Sequence, residues 1–217
     1  MEPILEANGM KALAGGDTVV SGVELRLGPG EVVWVEGASG AGKTTVLRAL
    51  ARLTPWEGEL RFQGQRARDV APHRWRAWVT LVPFPPVGLA DRVAPDLEAP
   101  WGLRVRREAR PPGPDTFRTE LDALGLADIG LDRSVGELSQ GQLARLALIR
   151  ALLAGPRVLL LDEPGANLDP DAAGRVCRRV AQFAAAGGAA VVAGHGAPWP
   201  GVARRYRIRD GRWEAAG

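Results

Sequence analysis

The chain has 217 residues, 46% of them hydrophobic and 24% charged, which suits one compact domain or one domain with a small attached lobe. The net charge is only +3 and just two lysines are present, so charge alone indicates no nucleic-acid partner. The single cysteine, Cys177, excludes an internal disulfide and is typical of a reducing compartment. Neither a signal peptide nor a membrane-length apolar run is visible, so we expect no direct bilayer insertion.

The predicted elements, in chain order, are typical of an α/β protein with a mostly parallel core sheet. Two antiparallel strands come first, and a short apolar strand then leads into a glycine-rich loop and a helix. Between residues 74 and 114 the periodicity weakens, and Pro, Trp and Arg accumulate. Helices then alternate with two apolar strands, and a terminal hairpin turns at Asp210-Gly211. The predicted strands are 4–7, 23–27, 31–36, 59–62, 158–161 and 189–193, and the predicted helices are 44–53, 115–124, 142–153 and 171–186.

The glycine-rich loop fits the phosphate-binding pattern G-x-x-x-x-G-K-[ST] between a predicted strand and a predicted helix. In this pattern the glycines let backbone N–H groups surround phosphates, the lysine adds a positive charge, and the threonine hydroxyl ligates Mg²⁺. The alternative is a glycine-rich turn without a ligand, but a buried lysine would be costly there. The candidate ATP-binding residues are Gly37, Ala38, Ser39, Gly40, Ala41, Gly42, Lys43, Thr44 and Thr45.

Two acids follow the apolar strand at 158–161, namely Asp162 and Glu163. Their position predicts that Asp162 holds Mg²⁺ together with Thr44, while Glu163 polarises the attacking water as a general base. Two acids at a strand end are, by themselves, usually a solvated turn. Their combination with a phosphate loop favours the catalytic interpretation.

Three further motifs resemble those of the ABC ATPases. The segment Leu138-Ser139-Gln140-Gly141-Gln142 resembles their LSGGQ signature, with Gln140 replacing the first glycine. Ala166-Asn167-Leu168-Asp169 resembles their D-loop, and His195 resembles their switch histidine. Because these motifs and the two above occur in the family's order over nearly the whole chain, the chain is identified as a member of that family.

The resemblance implies a P-loop NTPase with the ABC ATPase fold: a mostly parallel core sheet, an antiparallel β subdomain and a small helical signature subdomain. We expect a single domain, 1–217, with a helical lobe inserted at about 76–154. The implied activity is Mg-dependent ATP hydrolysis that powers a separate integral membrane permease. The chain would then lie in the cytoplasm, on the inner face of the cell membrane, attached through that permease.

The resemblance also implies a homodimer that holds ATP between its subunits. Ser139, Gly141 and Gln142 of one copy would meet the γ-phosphate bound by the other, and Lys43, Glu163 and His195 would be catalytic. The alternative role for Ser139 is a plain helix cap, and the alternative for His195 is a hydrogen-bonded core histidine. Asp169 either crosses the dimer interface or begins a helix.

Two departures from the family pattern stand out. Phe84 occupies the place of a glutamine that contacts Mg²⁺ or water, and a phenyl ring does neither. No aromatic residue that could stack on adenine is present at 13–16. Water therefore replaces the glutamine, or else the chain is a low-turnover module that dimerises on ATP.

The permease and its cargo are indicated only by local features. Residues 91–104 and 137–150 are similar to bacterial iron-efflux ABC ATPases, and haem-export and lipoprotein-release ATPases are alternatives. Non-transport ABC ATPases usually carry coiled coils, zinc modules or tandem cassettes, and none is visible here. Trp75, Trp78, Phe84 and Trp101 are candidates for docking the permease or for filling the lobe's core.

Overall fold

One ten-stranded sheet runs through the described part of the chain, residues 2–106 and 108–216 of a computed structural model. In chain order its strands are β1 (Leu5–Ala14), β2 (Asp17–Leu27), β3 (Val32–Gly37), β4 (Trp56–Phe62), β5 (Gln65–Arg66), β6 (Val79–Val82), β7 (Val158–Asp162), β8 (Ala189–Ala193), β9 (Arg204–Arg209) and β10 (Arg212–Ala216). The spatial order is β5-β4-β1-β2-β10-β9-β3-β8-β7-β6.

The centre of this sheet is parallel. β3 pairs in parallel with both β8 and β9, and β7 pairs in parallel with β8 and β6. Every residue of β7 and β8 is buried, which explains why both strands are uninterrupted apolar runs up to their last residues. β1, β2 and β4 add an antiparallel region at one end. The predicted combination of parallel core and antiparallel subdomain is confirmed.

Six α-helices accompany the sheet in the described chain: α1 (Lys43–Leu50), α2 (Pro72–Trp78), α3 (Val93–Glu98), α4 (Pro114–Ala123), α5 (Gln140–Leu153) and α6 (Pro170–Ala185). α2, α4 and α6 each have a proline in the first turn, where the missing N–H has no intrahelical partner to lose. No helix among the described residues is both long and apolar enough to cross a membrane.

The sheet separates two hydrophobic cores, and β7 contributes to both. Val158 and Leu160 point into the core that holds α1 and the antiparallel strands. Leu159 and Leu161 point into the other core, against the helical lobe and α6. This alternation follows from the two-residue period of a strand.

The chain leaves the sheet after β6 and returns at β7, and α3, α4 and α5 lie in between. β6 pairs with β7, so residues 79–82 of the expected lobe belong to the sheet. α2, β6 and α3 were not predicted, because their segment of Pro, Trp and Arg has weak periodicity.

Two of the four candidate docking aromatics lie in the main core instead. Trp75 is fully buried, and its indole Nε1 donates to the Leu50 carbonyl at 2.9 Å. Trp78 stacks on Phe62 with ring centroids 4.9 Å apart. The docking interpretation is therefore wrong for Trp75, whereas Trp78 is partly buried against the same core.

Candidate functional site

Three adjacent strands bring the predicted chemistry together. β3, β8 and β7 are neighbours and run in parallel, so the loops that follow them meet at one edge of the sheet. The first loop carries Lys43, the second carries His195, and the third begins at Asp162 and Glu163.

The loop after β3 has a backbone that glycine alone accommodates easily. Gly40 and Gly42 have φ angles of +77° and +105°. A Cβ on Gly42 would lie 2.5 Å from Val20 Cγ2, a distance that carbon atoms do not tolerate. Gly42 is the N-cap of α1 and has no side chain that could accept the first N–H groups of the helix. Those N–H groups therefore remain available to an anion.

Lys43 is held inside this loop. Its side chain is only 5% exposed, and Nζ donates to the carbonyls of Gly37 at 2.8 Å and Ala38 at 3.2 Å. Burial lowers the pKa of Lys43, and the nearby charges of Glu163 and Asp162 oppose that shift. The result is a desolvated cation beside the N-terminus of α1, which is a suitable environment for phosphate.

Thr44 and Asp162 provide the oxygen atoms that Mg²⁺ prefers. Thr44 Oγ1 donates to Asp162 Oδ2 at 2.7 Å, and Asp162 Oδ1 is buried with no hydrogen-bond partner among residues 2–106 and 108–216. Burial also raises the pKa of Asp162. In the described chain no cluster of three or more His, Cys, Asp or Glu side chains could hold a metal alone. These residues fit Mg²⁺ bound by one carboxylate, water and nucleotide oxygens.

Glu163 and His195 form the next contact. Glu163 Oε1 lies 2.8 Å from His195 Nε2, which is also 3.3 Å from Lys43 Nζ. Glu163 has a φ of +46°, an unusual conformation for a residue with a side chain, and its N–H donates to the Ala193 carbonyl. The His195 side chain is 49% exposed, so the core-histidine alternative is wrong.

The signature segment contacts the D-loop of its own chain. Ser139 caps α5 through a capping box with Gln142, and Asn167 donates to Gln140 Oε1 at 3.1 Å. A Cβ on Gly141 would lie 3.0 Å from Leu168 Cδ2. No described hydrogen bond joins this segment to the phosphate loop.

Asp169 accepts the Ala172 N–H and thereby begins α6. This bond is the main reason that the pKa of Asp169 is lowered. The structure therefore gives Asp169 the helix-start role that the sequence left open.

Two cavities lie beside these groups. Phe84 borders a small cavity of about 20 Å³ together with Asp162 and Glu163, where the family's glutamine is expected. A larger cavity of about 670 Å³ lies along the phosphate loop, lined further by Val19 and the Arg209–Gly211 turn. No Phe, Tyr or Trp is among its described lining residues, in agreement with the missing adenine-stacking aromatic.

Sequence reasoning missed an apolar groove of about 850 Å³ between α2, β6 and the helical lobe. Four of its lining side chains are large, aliphatic and 37–59% exposed: Val87, Leu89, Leu103 and Val105. None of the four aromatics named above lines it. The only sequence signal was the spacing of aliphatic residues within a Pro- and Arg-rich segment.

A family model described as ABC transporter matches residues 20–166 of the chain. The chain belongs to the ABC transporter ATPases. It is the ATP-binding, ATP-hydrolysing subunit of such a transporter.

Several relatives of this ABC ATPase are named for export. A cytochrome c biogenesis ATP-binding export protein, CcmA, from Cupriavidus necator is 39% identical over 95% of this chain and 88% of its own length. The "Probable iron export ATP-binding protein FetA" of Escherichia coli is 34% identical over 77% of this chain and 73% of its own length.

Solved structures share the fold of this ABC ATPase. The ATP-binding subunit of an ABC transporter has a TM-score of 0.80 at 22% identity, covering 96% of this chain and 87% of its own. A bacterial Atm1-family ABC exporter with ATP bound has a TM-score of 0.84 at 21% identity, covering all of this chain and 38% of its own.

Proposed function

We propose that the chain hydrolyses Mg-ATP between two copies of itself and so drives a separate export permease at the inner face of the cell membrane. The observation that carries this proposal is the arrangement of Lys43, Thr44, Asp162, Glu163 and His195 at one sheet edge. No described hydrogen bond joins the signature segment of the same chain to the phosphate loop, and the family resemblance implies that a second copy supplies this segment to the site.

Each of these side chains has a distinct task in hydrolysis. Lys43 exchanges its two carbonyl partners for the β- and γ-phosphate oxygens, and the α1 N-terminus adds its N–H groups. Thr44 and Asp162 hold Mg²⁺, which when bound neutralises charge on the phosphate oxygens. Glu163 would accept a proton from the attacking water. His195 contacts both Glu163 and Lys43, a position from which it would reach the γ-phosphate.

The role of Glu163 has a direct test. Glu163→Gln keeps the hydrogen-bonding shape but removes the base, so kcat falls by roughly 10²–10⁴-fold. Because ATP is still bound, the variant accumulates as an ATP-dependent dimer in size-exclusion chromatography. Turnover at the parental rate would show that Glu163 is not the base.

The shared site can be tested by mixing two inactive variants. Lys43→Ala removes the phosphate contact of one protomer. Ser139→Asp keeps the cap of α5, since aspartate caps helices well, but it places a negative charge toward the partner's phosphate. A mixed dimer contains one intact site with Lys43 from one copy and Ser139 from the other.

We expect each variant alone to be inactive and the mixture to regain ATPase activity. An unchanged melting temperature of Ser139→Asp shows that α5 is intact. No recovery on mixing, from two folded variants, would contradict the shared site.

The permease is proposed to dock in the aliphatic groove. Clusters of exposed large apolar side chains are typical of protein interfaces, and Arg76, Arg104 and Arg106 add positive charge to its lining. Leu103→Glu should abolish co-purification of the permease while ATP-dependent dimerisation continues. Leu53→Glu is the matched control, because Leu53 is 49% exposed against 57% for Leu103 but lies outside the groove. Retained co-purification of Leu103→Glu would contradict groove docking.

We favour the export function that is named for the cytochrome c biogenesis relative, because the similarity to that protein covers 95% of this chain. Loss of the chain should then reduce the content of c-type cytochromes in cells. The iron-export relative supports a second candidate. That candidate predicts normal cytochromes and increased cellular iron instead.

A further inference from the structure

A tryptophan lies directly beneath the residue that precedes His195. Trp34, on β3, is 3% exposed, and a Cβ built on Gly194 would lie 2.4 Å from its Cη2 and 2.6 Å from its Cζ2. Those distances leave no room for any side chain at position 194 while the indole is present. The His195 loop therefore starts in contact with the six-membered ring of this indole.

The backbone next to this ring is fixed from two directions. The Gly194 N–H donates to the Val35 carbonyl at 3.1 Å, and the Ala193 carbonyl accepts the Glu163 N–H at 2.8 Å. One bond ties the loop to β3, and the other ties it to the residue proposed as the base. A side chain added at position 194 would therefore have to displace either this backbone or the Trp34 ring.

Trp199 closes the other end of the loop. Its ring lies 6.1 Å from that of Trp34 at an interplanar angle of 50°, and Trp199 packs against the same apolar core. The Trp34 Nε1 is buried without a hydrogen-bond partner in the described chain, which an aliphatic side chain would avoid. The volume and rigidity of the indole are therefore what this position uses.

We propose that Trp34 and Trp199 are positioning residues that hold His195 between Lys43 and Glu163. This inference rests on the proposed role of His195 in hydrolysis. The two rings form a rigid support for residues 194–199, and a histidine displaced by about 1 Å loses most of its contribution to the rate. Lys43 is held by the carbonyls of Gly37 and Ala38 in the loop after β3, so we expect the phosphate contacts to persist when this support is lost.

The first variant is Gly194→Ala. Its Cβ collides with the Trp34 ring and lifts the loop, so kcat falls by roughly tenfold or more. The KM for ATP and the equilibrium affinity for Mg-free ATP stay within about threefold of parental values, because the phosphate contacts are unchanged. Phe183→Leu is the control for the loss of an aromatic ring from the same core. The ring of Phe183 lies at Gly188 and not at Gly194.

The decisive variant is the double substitution Trp34→Leu with Gly194→Ala. Removing the indole makes room for the new methyl group, so the double variant is faster than Gly194→Ala alone. Trp199→Leu, made separately, lowers kcat with an unchanged ATP affinity. Thermal melting confirms that each variant is folded.

The proposal is overturned if folded Gly194→Ala turns over at the parental rate, or if the double variant is no faster than Gly194→Ala. If Gly194→Ala does not fold, Trp199→Leu decides, and its parental kcat overturns the proposal. His195→Ala separates this inference from the proposed function. A parental kcat for His195→Ala refutes the role of the histidine itself. A reduced kcat for His195→Ala, together with parental kcat values for Gly194→Ala and Trp199→Leu, refutes only the positioning role of the two tryptophans.

Discussion

Asp96 is the most deeply buried acid of the helical lobe, and its removal gives the sharpest stability prediction. It is 0% exposed, and its Oδ1 accepts from Arg150 at 2.5 Å. Its Oδ2 accepts the N–H groups of Leu89 at 2.5 Å and Ala90 at 3.3 Å. Arg150 also donates to the Val87 carbonyl at 2.9 Å. This ion pair therefore ties α5 to α3 and to the wall of the aliphatic groove.

Asp96→Ala leaves the Arg150 guanidinium nearly buried without its carboxylate, and two backbone N–H groups lose their acceptor. Breaking a buried ion pair in this way costs about 3–5 kcal/mol of unfolding free energy. For a chain of this size, that loss lowers the melting temperature by about 10 °C. Urea denaturation and thermal melting of the nucleotide-free chain both measure it.

Asp115→Ala is the matched control, because Asp115 pairs with Arg118 at 3.2 Å but its side chain is 99% exposed. We expect no measurable loss there, since a solvated pair contributes little. The double variant Asp96→Leu with Arg150→Met removes both charges and should recover much of the stability. An Asp96→Ala variant within about 1 kcal/mol of the parent would refute the reasoning.

Three further predictions concern the nucleotide site. Burial raises the folded-state pKa of Asp162 above its usual 3.8. The cost of ionising this buried carboxyl in the folded chain is therefore absent at low pH and grows as pH rises through the raised pKa. Asp162→Asn should therefore gain stability over the parent between pH 4 and neutrality in nucleotide-free thermal melts, and a pH-independent difference would contradict this. Gly42→Ala forces a φ of +105° on alanine and a contact with Val20, so we expect a loss of about 1–3 kcal/mol of stability and of most ATP affinity. Calorimetric titration measures that affinity, and a Gly113→Ala control, which meets open space, should bind normally. Phe84→Gln restores a polar group beside Asp162 and Glu163 and should raise kcat several-fold at constant ATP affinity; an unchanged kcat would show that this position does not reach the water.

Elements with local signals could be predicted from the sequence. The phosphate loop was recognisable because its glycines, lysine and threonine are consecutive, and β7 and β8 because both faces of a central strand are apolar. α2 and α3 were missed because they have only seven and six residues, too few for a helical period to stand out. β6 has four residues and takes its place from pairing with β7, more than 70 positions away.

The functional site could also be predicted where its signals lie in sequence motifs, and not where they depend on contacts between distant residues. Motif order indicated that Lys43, Glu163 and His195 belong together, although His195 lies 152 positions after Lys43. Trp34 gave no signal, because a tryptophan within an apolar strand looks like any other core residue. Asp96 was also missed, since its partner Arg150 lies 54 positions away on another helix.

The adjacency of β3, β8 and β7 has a consequence for how the enzyme is controlled. Lys43, Glu163 and His195 are held in fixed relative positions within one copy, because neighbouring strands of a packed sheet cannot shift independently. In the proposed dimer, the second copy adds the helix end that Ser139 begins. Dimer formation is then the step that can be regulated. ATP turnover per chain should rise with chain concentration and level off once most chains are dimers.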